Sequence, residues 1–240
     1  MDLLNIDVVR TYGWVLVQGL GNTVLLTMIV IVLAGALAIP LALVRTSSSK
    51  IIRLPFEAFV EIIRGTPLIL QLFYVYYVLP SAGIQFEPFT AAVVALTINY
   101  TAYMSEVYRG GIKSVPLGQW NAAAALGMTP AKVFIRVILP QAFRIVTPTL
   151  GNYFIALFKD TALASVVTVN ELLYTGNLVS SSSYQYFTVY TLTGILYLIA
   201  GFPAALFVRY LEKRAHSTTR RKRPNTPTPM AGTETEGATR

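Results

Sequence analysis

Cysteine does not occur anywhere in the 240 residues. Its absence excludes disulfides, thiolate-ligated zinc and thiol nucleophiles. Histidine occurs once, as His216 in a basic C-terminal stretch; that is the setting of a solvated residue rather than a metal ligand. Charge is also scarce. Asp, Glu, Lys and Arg make up 12% of the chain, about half of the roughly 25% usual in soluble domains. Too little polar surface remains to coat a soluble particle. With 54% hydrophobic residues and a mean hydropathy of +0.57, the bilayer is the expected solvent. The phosphate cradle G-x-x-x-x-G-K-[ST] is missing as well, so ATP hydrolysis is not expected here. No metal or cofactor of the chain's own is expected. The N-terminus carries Asp2 and Asp7 and lacks a basic region, so it does not read as a cleaved signal peptide.

What charge there is lies in blocks. Lys and Arg cluster at 45–64, at 109–144 and from Arg209 onward, leaving only Arg10 and Lys159 elsewhere. A formal charge of +8 could suggest nucleic acid, but basic blocks separated by apolar runs are a topology signal. Five apolar runs are expected to cross the membrane, at about 20–44, 55–79, 88–108, 140–167 and 186–210. Each is near the roughly 20 residues needed for about 30 Å of hydrocarbon. Helices are the default, because backbone groups in lipid must bond within their own segment. Loops 79–88 and 168–185 lack Lys and Arg; loops 45–54 and 109–139 are basic. One orientation fits all four, with the N-terminus outside and the C-terminus in the cytoplasm. The fold class is therefore all-α integral membrane, organised as an extracytoplasmic or interfacial segment 1–19, a transmembrane domain 20–212 and a basic tail 213–240. The tail's Thr, Pro and Arg content predicts disorder, and Arg220–Arg223 lie where they could meet anionic lipid.

The longest basic connection, 109–139, contains a pattern of its own. Pro116-Leu117-Gly118 makes a turn, Gln119–Leu126 carries five strong helix formers, and Gly127 suits a helix C-terminus. Thr129-Pro130 reads as a restart, with Thr129 as N-cap and Pro130 in the first turn. A short helix between two breaks is expected, lying on the cytoplasmic face. Its alanines admit two readings, close approach of a soluble partner or packing on neighbouring membrane helices.

Polar residues inside apolar runs are candidate sites, because burying them in lipid is costly. Asn99 lies mid-way along the third run, Gln71 within the second, and Lys159, Asp160 and Thr161 toward the outer part of the fourth. A charged or polar solute stripped of water would need such partners. Lys159 and Asp160 are sequence neighbours and diverge by about 100° on a helix, so both reach one spot only if the helix unwinds locally. The alternative is a snorkelling Lys159 and a capping or pairing Asp160. Glu57, Glu61 and Arg64, and likewise Glu106 and Arg109, have helical spacing for ion pairs and favour packing or a cytoplasmic gate over substrate contact. A secondary carrier would show internal repeats, and a channel would need a filter or charged rings; neither pattern is visible.

The stretch Gly118–Gln141, GQWNAAAALGMTPAKVFIRVILPQ, resembles the EAA loop of ABC importer permeases. Ala122-Ala123 are followed at the family's spacing by Gly127, Ile138 and Leu139-Pro140, while Asn121 stands where that family usually has Glu. Arg64-Gly65-Thr66-Pro67-Leu68 with Gln71, Thr97-Ile98-Asn99-Tyr100-Thr101-Ala102-Tyr103 with Glu106, and Lys159-Asp160-Thr161-Ala162-Leu163 resemble the histidine/glutamine branch, which imports polar amino acids. The resemblance implies a type I importer fold in a bacterial inner membrane. It implies a second permease protomer, identical or homologous, two ATPase subunits holding ATP and Mg, and an extracytoplasmic amino acid-binding protein. It also makes Gln119, Asn121, Ala122, Ala123, Leu126 and Gly127 the coupling contact with the ATPase.

Overall fold

The computed structural model describes residues 5–220, without the side chains of Phe207 and of residues 211–220. The described residues form helices joined by short turns and loops, with no strand among them. The first helix, α1 (Ile6–Val44), begins earlier than the apolar run at 20 predicts. Asn5 caps it by accepting from the Asp7 N–H at 3.0 Å. At its other end Ala34, Ala38 and Ala42 form a fully buried stripe at four-residue spacing. They lie against α4 (Pro88–Lys113), whose own buried residues include Ala91, Ala92, Ala95 and Ala102. Small side chains on both helices let the backbones approach closely, which is how helices gain contact where lipid removes the hydrophobic drive.

The second apolar run is not one helix. It divides into α2 (Lys50–Gly65) and α3 (Leu68–Ala82), which meet at 105°. Pro67 has no N–H to continue the helix and forces its predecessor out of the helical region. Thr66 accordingly sits at φ −108°, ψ 141°. Gln71 braces the bend: its Nε2 lies 2.7 Å from the Ile63 carbonyl, 2.8 Å from Thr66 Oγ1 and 3.2 Å from the Thr66 carbonyl. The later part of α3 is wound as a π-turn at Tyr74–Val78 and then tightens into a 3₁₀ turn.

After α4 come α5 (Leu117–Ala125), α6 (Pro130–Val167), α7 (Leu172–Ser183) and α8 (Tyr186–Arg220). The restart at Pro130 is where the sequence predicts it. Thr129 holds the N-cap position, but its side chain makes no capping bond. The expected loop 168–185 is mostly the helix α7, capped by Glu171. The predicted tail boundary at 213 falls inside α8, and residues 221–240, with most of the expected disorder and Arg221–Arg223, lie outside the described residues.

Three helices, α1, α6 and α8, are long and apolar enough to cross a membrane, and the bent α2–α3 pair makes a fourth candidate. The 26 residues of α4 span about 39 Å at 1.5 Å per residue, but its Thr, Asn, Tyr and Ser content makes it more polar. Its burial explains this composition. It is the central helix, contacting α1, α2, α3 and α6, so its polar groups face protein rather than lipid. The main core gathers around it from Leu26, Val30, Leu72, Leu96, Leu157 and Val167.

Candidate functional site

Asn99 lies about 17 Å from the start of α4 at 1.5 Å per residue, near the middle of the helix, and is buried. Its Nδ2 donates to Gln71 Oε1 at 3.1 Å. The bend between α2 and α3 is thereby tied to the centre of α4 through one glutamine. Gln71 spends its donors on the bend and its carbonyl oxygen on Asn99, so its part is to shape the site rather than to offer free groups. A groove of about 380 Å³ follows the bend, lined by Ile63, Thr66, Gln71, Tyr74, Val75 and Ile98.

On the neighbouring flank of α4, the Tyr100 hydroxyl donates to Asp160 Oδ2 at 2.7 Å. Tyr100 and Tyr103 both meet Tyr153 of α6, with ring centroids 6.2 and 6.1 Å apart, distances at which aromatic pairs attract. The Arg64 guanidinium stands 5.4 Å from the Tyr103 ring centre, a cation–π contact, and the Tyr103 hydroxyl reaches the Arg64 carbonyl at 3.4 Å. One aromatic surface therefore links Arg64 at the bend with Asp160 at the end of regular α6. Immediately after Asp160 the helix tightens to 3₁₀ geometry over Thr161–Val167. The unwinding that the sequence analysis invokes for Lys159 and Asp160 has its place here, yet the two still diverge. Lys159 is exposed and lines a groove of about 510 Å³ between α6 and α8, with Phe158, Tyr197, Leu198 and Phe202. Thr161 is buried and its hydroxyl donates to the Phe158 carbonyl at 2.8 Å. The structure thus brings Gln71, Asn99 and, through Tyr100, Asp160 to α4, and leaves Lys159 and Thr161 facing elsewhere.

The candidate ion pairs sort differently from their spacing. Glu57 pairs with Arg53 at 3.1 Å rather than with the Glu61–Arg64 set, and Glu61 reaches Arg64 only at 4.0 Å. Glu106 does pair with Arg109, and its other partner is Arg45, whose Nη2 lies 2.9 Å from Glu106 Oε2. Arg45 ends α1, is only 4% exposed and also donates from Nη1 to Ser105 Oγ at 3.2 Å. This Arg45–Glu106–Arg109 cluster joins the C-terminal ends of α1 and α4 just ahead of α5. Sequence reading passed over Arg45 because a lone cation closing an uncharged run looks like a topology mark. The available signal was its place opposite the only acid in the last half of the third run.

Toward the opposite face, Glu171 is fully buried and ties α7 to α8. It accepts from the Leu173 and Tyr174 N–H groups at 2.9 and 2.6 Å and from the Tyr197 hydroxyl at 2.7 Å. Next to it, Thr23 Oγ1 of α1 accepts from the Leu172 N–H at 3.0 Å. Burial pushes the Glu171 carboxyl above its ordinary range, opposed by the hydrogen bonds from Leu173, Tyr197 and Tyr174.

The short helix α5 is anchored on one side and open on the other. Ala123 is buried and Trp120 half-buried against Val115, Val133, Phe134 and Ile138. The Trp120 and Phe134 ring centroids are 6.5 Å apart. Gln119 Oε1 accepts from Gln141 Nε2 at 3.3 Å, tying α5 to α6. Gly127 takes φ +72°, which glycine adopts without strain. Its N–H meets the Ala124 carbonyl at 2.9 Å and the next N–H, of Met128, meets the Ala123 carbonyl at 3.3 Å, closing the helix end. Asn121, Ala122, Ala124 and Ala125 are exposed, and Leu126 is 82% exposed. A rigid, small-residue face with one protruding leucine is thus presented beyond the membrane helices. Of the alanines, Ala123 packs inward and Ala122 faces outward.

Comparison with known proteins places this arrangement. A family model described as "Binding-protein-dependent transport system inner membrane component" matches residues 31–217. The chain is 40% identical over 210 residues to the L-cystine transport system permease protein TcyB of Bacillus subtilis (strain 168), covering 87% of this chain and 90% of that protein. It is 37% identical over 206 residues to the histidine/lysine/arginine/ornithine transport system permease protein HisM of Escherichia coli (strain K12), covering 82% and 87%. A solved structure of an amino acid ABC transporter with histidines superposes with a TM-score of 0.82 at 34% identity, over 88% of this chain and 99% of that one. An inward-facing structure of the MetNI methionine ABC transporter, at 22% identity and a TM-score of 0.65 over 82% and 96%, shares the fold.

Proposed function

The chain belongs to the binding-protein-dependent transport system inner membrane component family, as an amino acid ABC transporter permease, and from that premise we propose that it forms one half of the pathway of an ATP-driven importer for polar amino acids. A second permease protomer completes the pathway, two ATPase subunits bind ATP and Mg, and an extracytoplasmic binding protein delivers substrate. The chain itself hydrolyses nothing. Five crossings, by α1, the second run (through α3), α4, α6 and α8, put the N-terminus outside and the C-terminus inside, with α5 on the cytoplasmic face of the bacterial inner membrane.

The observation that carries this reading is α5. It has an anchored face, a glycine-closed end and an exposed face of Asn121, Ala122 and Leu126. Such a helix accepts force from a soluble motor without bending, and the Arg45–Glu106–Arg109 cluster beside it passes that force to the inner ends of α1 and α4. Asn121 replaces the family's usual acid with a neutral hydrogen-bonding group. Substrate meets Asn99, held in place by Gln71, and Asp160, where an amide and a carboxylate offer partners for the two charged ends of an amino acid.

The test uses the absence of native cysteine. Asn121→Cys or Leu126→Cys, combined with single cysteines in the ATPase, forms cross-links that vary with nucleotide and block uptake when closed. Absence of cross-links in an active complex overturns α5 as the docking helix.

A further inference from the structure

The helix α2 has a polar and an apolar side that the rest of the protein leaves almost uncovered. Val60 is its only buried residue. At about 100° per residue, Ile51, Ile62, Phe59, Ile52 and Phe56 fall on one side, while Arg53, Arg64, Glu57, Lys50 and Glu61 fall on the other. The apolar side is bare: Ile51 is 86% exposed and Ile62 65%.

Two observations fix how α2 lies. The chain enters and leaves it beside one stretch of α4. It starts five residues after Arg45, which pairs with Glu106, and it ends at Arg64, which stacks on Tyr103, one turn away on the same helix α4. It also turns 105° from α3, so when α3 crosses the bilayer α2 runs nearly parallel to its surface. Length agrees. The 15 residues of α3 cover about 22 Å at 1.5 Å per residue, short of about 30 Å of hydrocarbon. The shortfall matches the roughly 5–10 Å at which an in-plane amphipathic helix sits below the headgroups.

We propose that α2 is an in-plane helix docked in the lipid leaflet on the α5 side of the membrane, its apolar arc in the acyl boundary and Lys50, Arg53 and Arg64 at headgroup level. The occupant of the exposed arc is phospholipid. The charge-bearing side argues for this, since a polar stripe of five ionisable residues beside a bare apolar stripe matches the headgroup–acyl boundary, and the Arg45–Glu106–Arg109 cluster marks that boundary on α1 and α4. In this position α2 tethers the bend at Thr66, and hence Gln71 and Asn99, to the membrane surface.

The assembled transporter is reconstituted in nanodiscs of phosphatidylglycerol and phosphatidylethanolamine, with single nitroxide labels at Ile51→Cys, Phe59→Cys and Ile62→Cys, and at Glu61→Cys on the polar side. Expected is a several-fold higher ratio of oxygen to aqueous nickel collisions at 51, 59 and 62 than at 61, with the same depth at 51 and 62. A depth that increases steadily from 51 to 62 makes α2 a transmembrane segment and overturns the proposal. Low collision with both reagents together with dipolar broadening between protomers assigns the arc to a second copy and overturns it equally. High nickel collision at 51 and 62 shows an aqueous face and does the same.

Discussion

Replacing Glu106 by glutamine leaves the Arg45 guanidinium 4% exposed with only the Ser105 hydroxyl as a strong partner. Removing one member of a buried ion pair costs about 3–5 kcal/mol, because the remaining charge stays desolvated. Glu106 is 30% exposed, so water recovers part of the loss, and the expected cost is about 2–3 kcal/mol. Arg45→Met should be milder, about 1 kcal/mol, since it removes the buried charge, keeps much of the alkyl volume and leaves Glu106 with Arg109. The double variant should then recover much of the Glu106→Gln loss, a non-additivity expected for contacting residues. Reversible unfolding in mixed micelles, followed through Trp14 and Trp120, gives the three free energies. Equal stability of Glu106→Gln and wild type refutes the reasoning, as does a larger loss in Arg45→Met than in Glu106→Gln.

Other consequences concern separate parts of the molecule. Gly127→Val forces a β-branched residue into φ +72°, costing roughly 1–2 kcal/mol locally; uptake should fall sharply while membrane insertion and ATPase activity persist, and Gly127→Asn should retain more uptake than Gly127→Val. Gln71→Leu removes the brace on Ile63 and Thr66 and the partner of Asn99, and should cost about 3 kcal/mol at roughly 1 kcal/mol for each of three lost bonds, read by the same unfolding assay together with loss of transport. Tyr100→Phe deletes the hydroxyl on Asp160 and should weaken stability by about 1 kcal/mol and shift the substrate concentration for half-maximal uptake. Because burial raises Glu171 above its unfolded value, its contribution to stability is full below the unfolded carboxylate pKa and is lost as pH rises through the folded one. Wild type should therefore lose stability relative to Glu171→Gln as pH rises through that window, measured by unfolding at several pH values.

Much of this architecture was legible because lipid imposes simple rules. An uncharged run ending at Arg45, a restart at Thr129-Pro130 and a glycine after an alanine run each carry their own physical cause, and α1, α6 and α5 follow from them. The bend at Thr66 was missed although Gly65 and Pro67 announce it, because the hydropathy of 55–79 is continuous and hides a change of direction. The helix α7 was missed because its four serines and one glycine read as a loop, whereas Glu171 caps it and Gly19 and Gly176 let it pack closely on α1 and α8. In the candidate site, the sequence singled out Asn99, Gln71 and Asp160 as polar groups at membrane depth. It could not tell that Gln71 is turned toward its own bend, that Thr161 bonds its own helix, or that Tyr100 is the link to Asp160. Those are outcomes of helix rotation and packing, which one-dimensional spacing does not contain. The Glu57 pairing failed for a related reason, since Arg53 offered an equally spaced partner on the other side.

The central claim is that this chain is a gate moved by a separate motor through α5. Its most direct test is reconstitution in proteoliposomes with the ATPase and the binding protein, measuring amino acid uptake and ATP hydrolysis together. Uptake should require ATP and the binding protein, and Gly127→Val should abolish uptake while hydrolysis continues. Uptake by the chain alone, driven by an ion gradient and indifferent to ATP, would contradict the account.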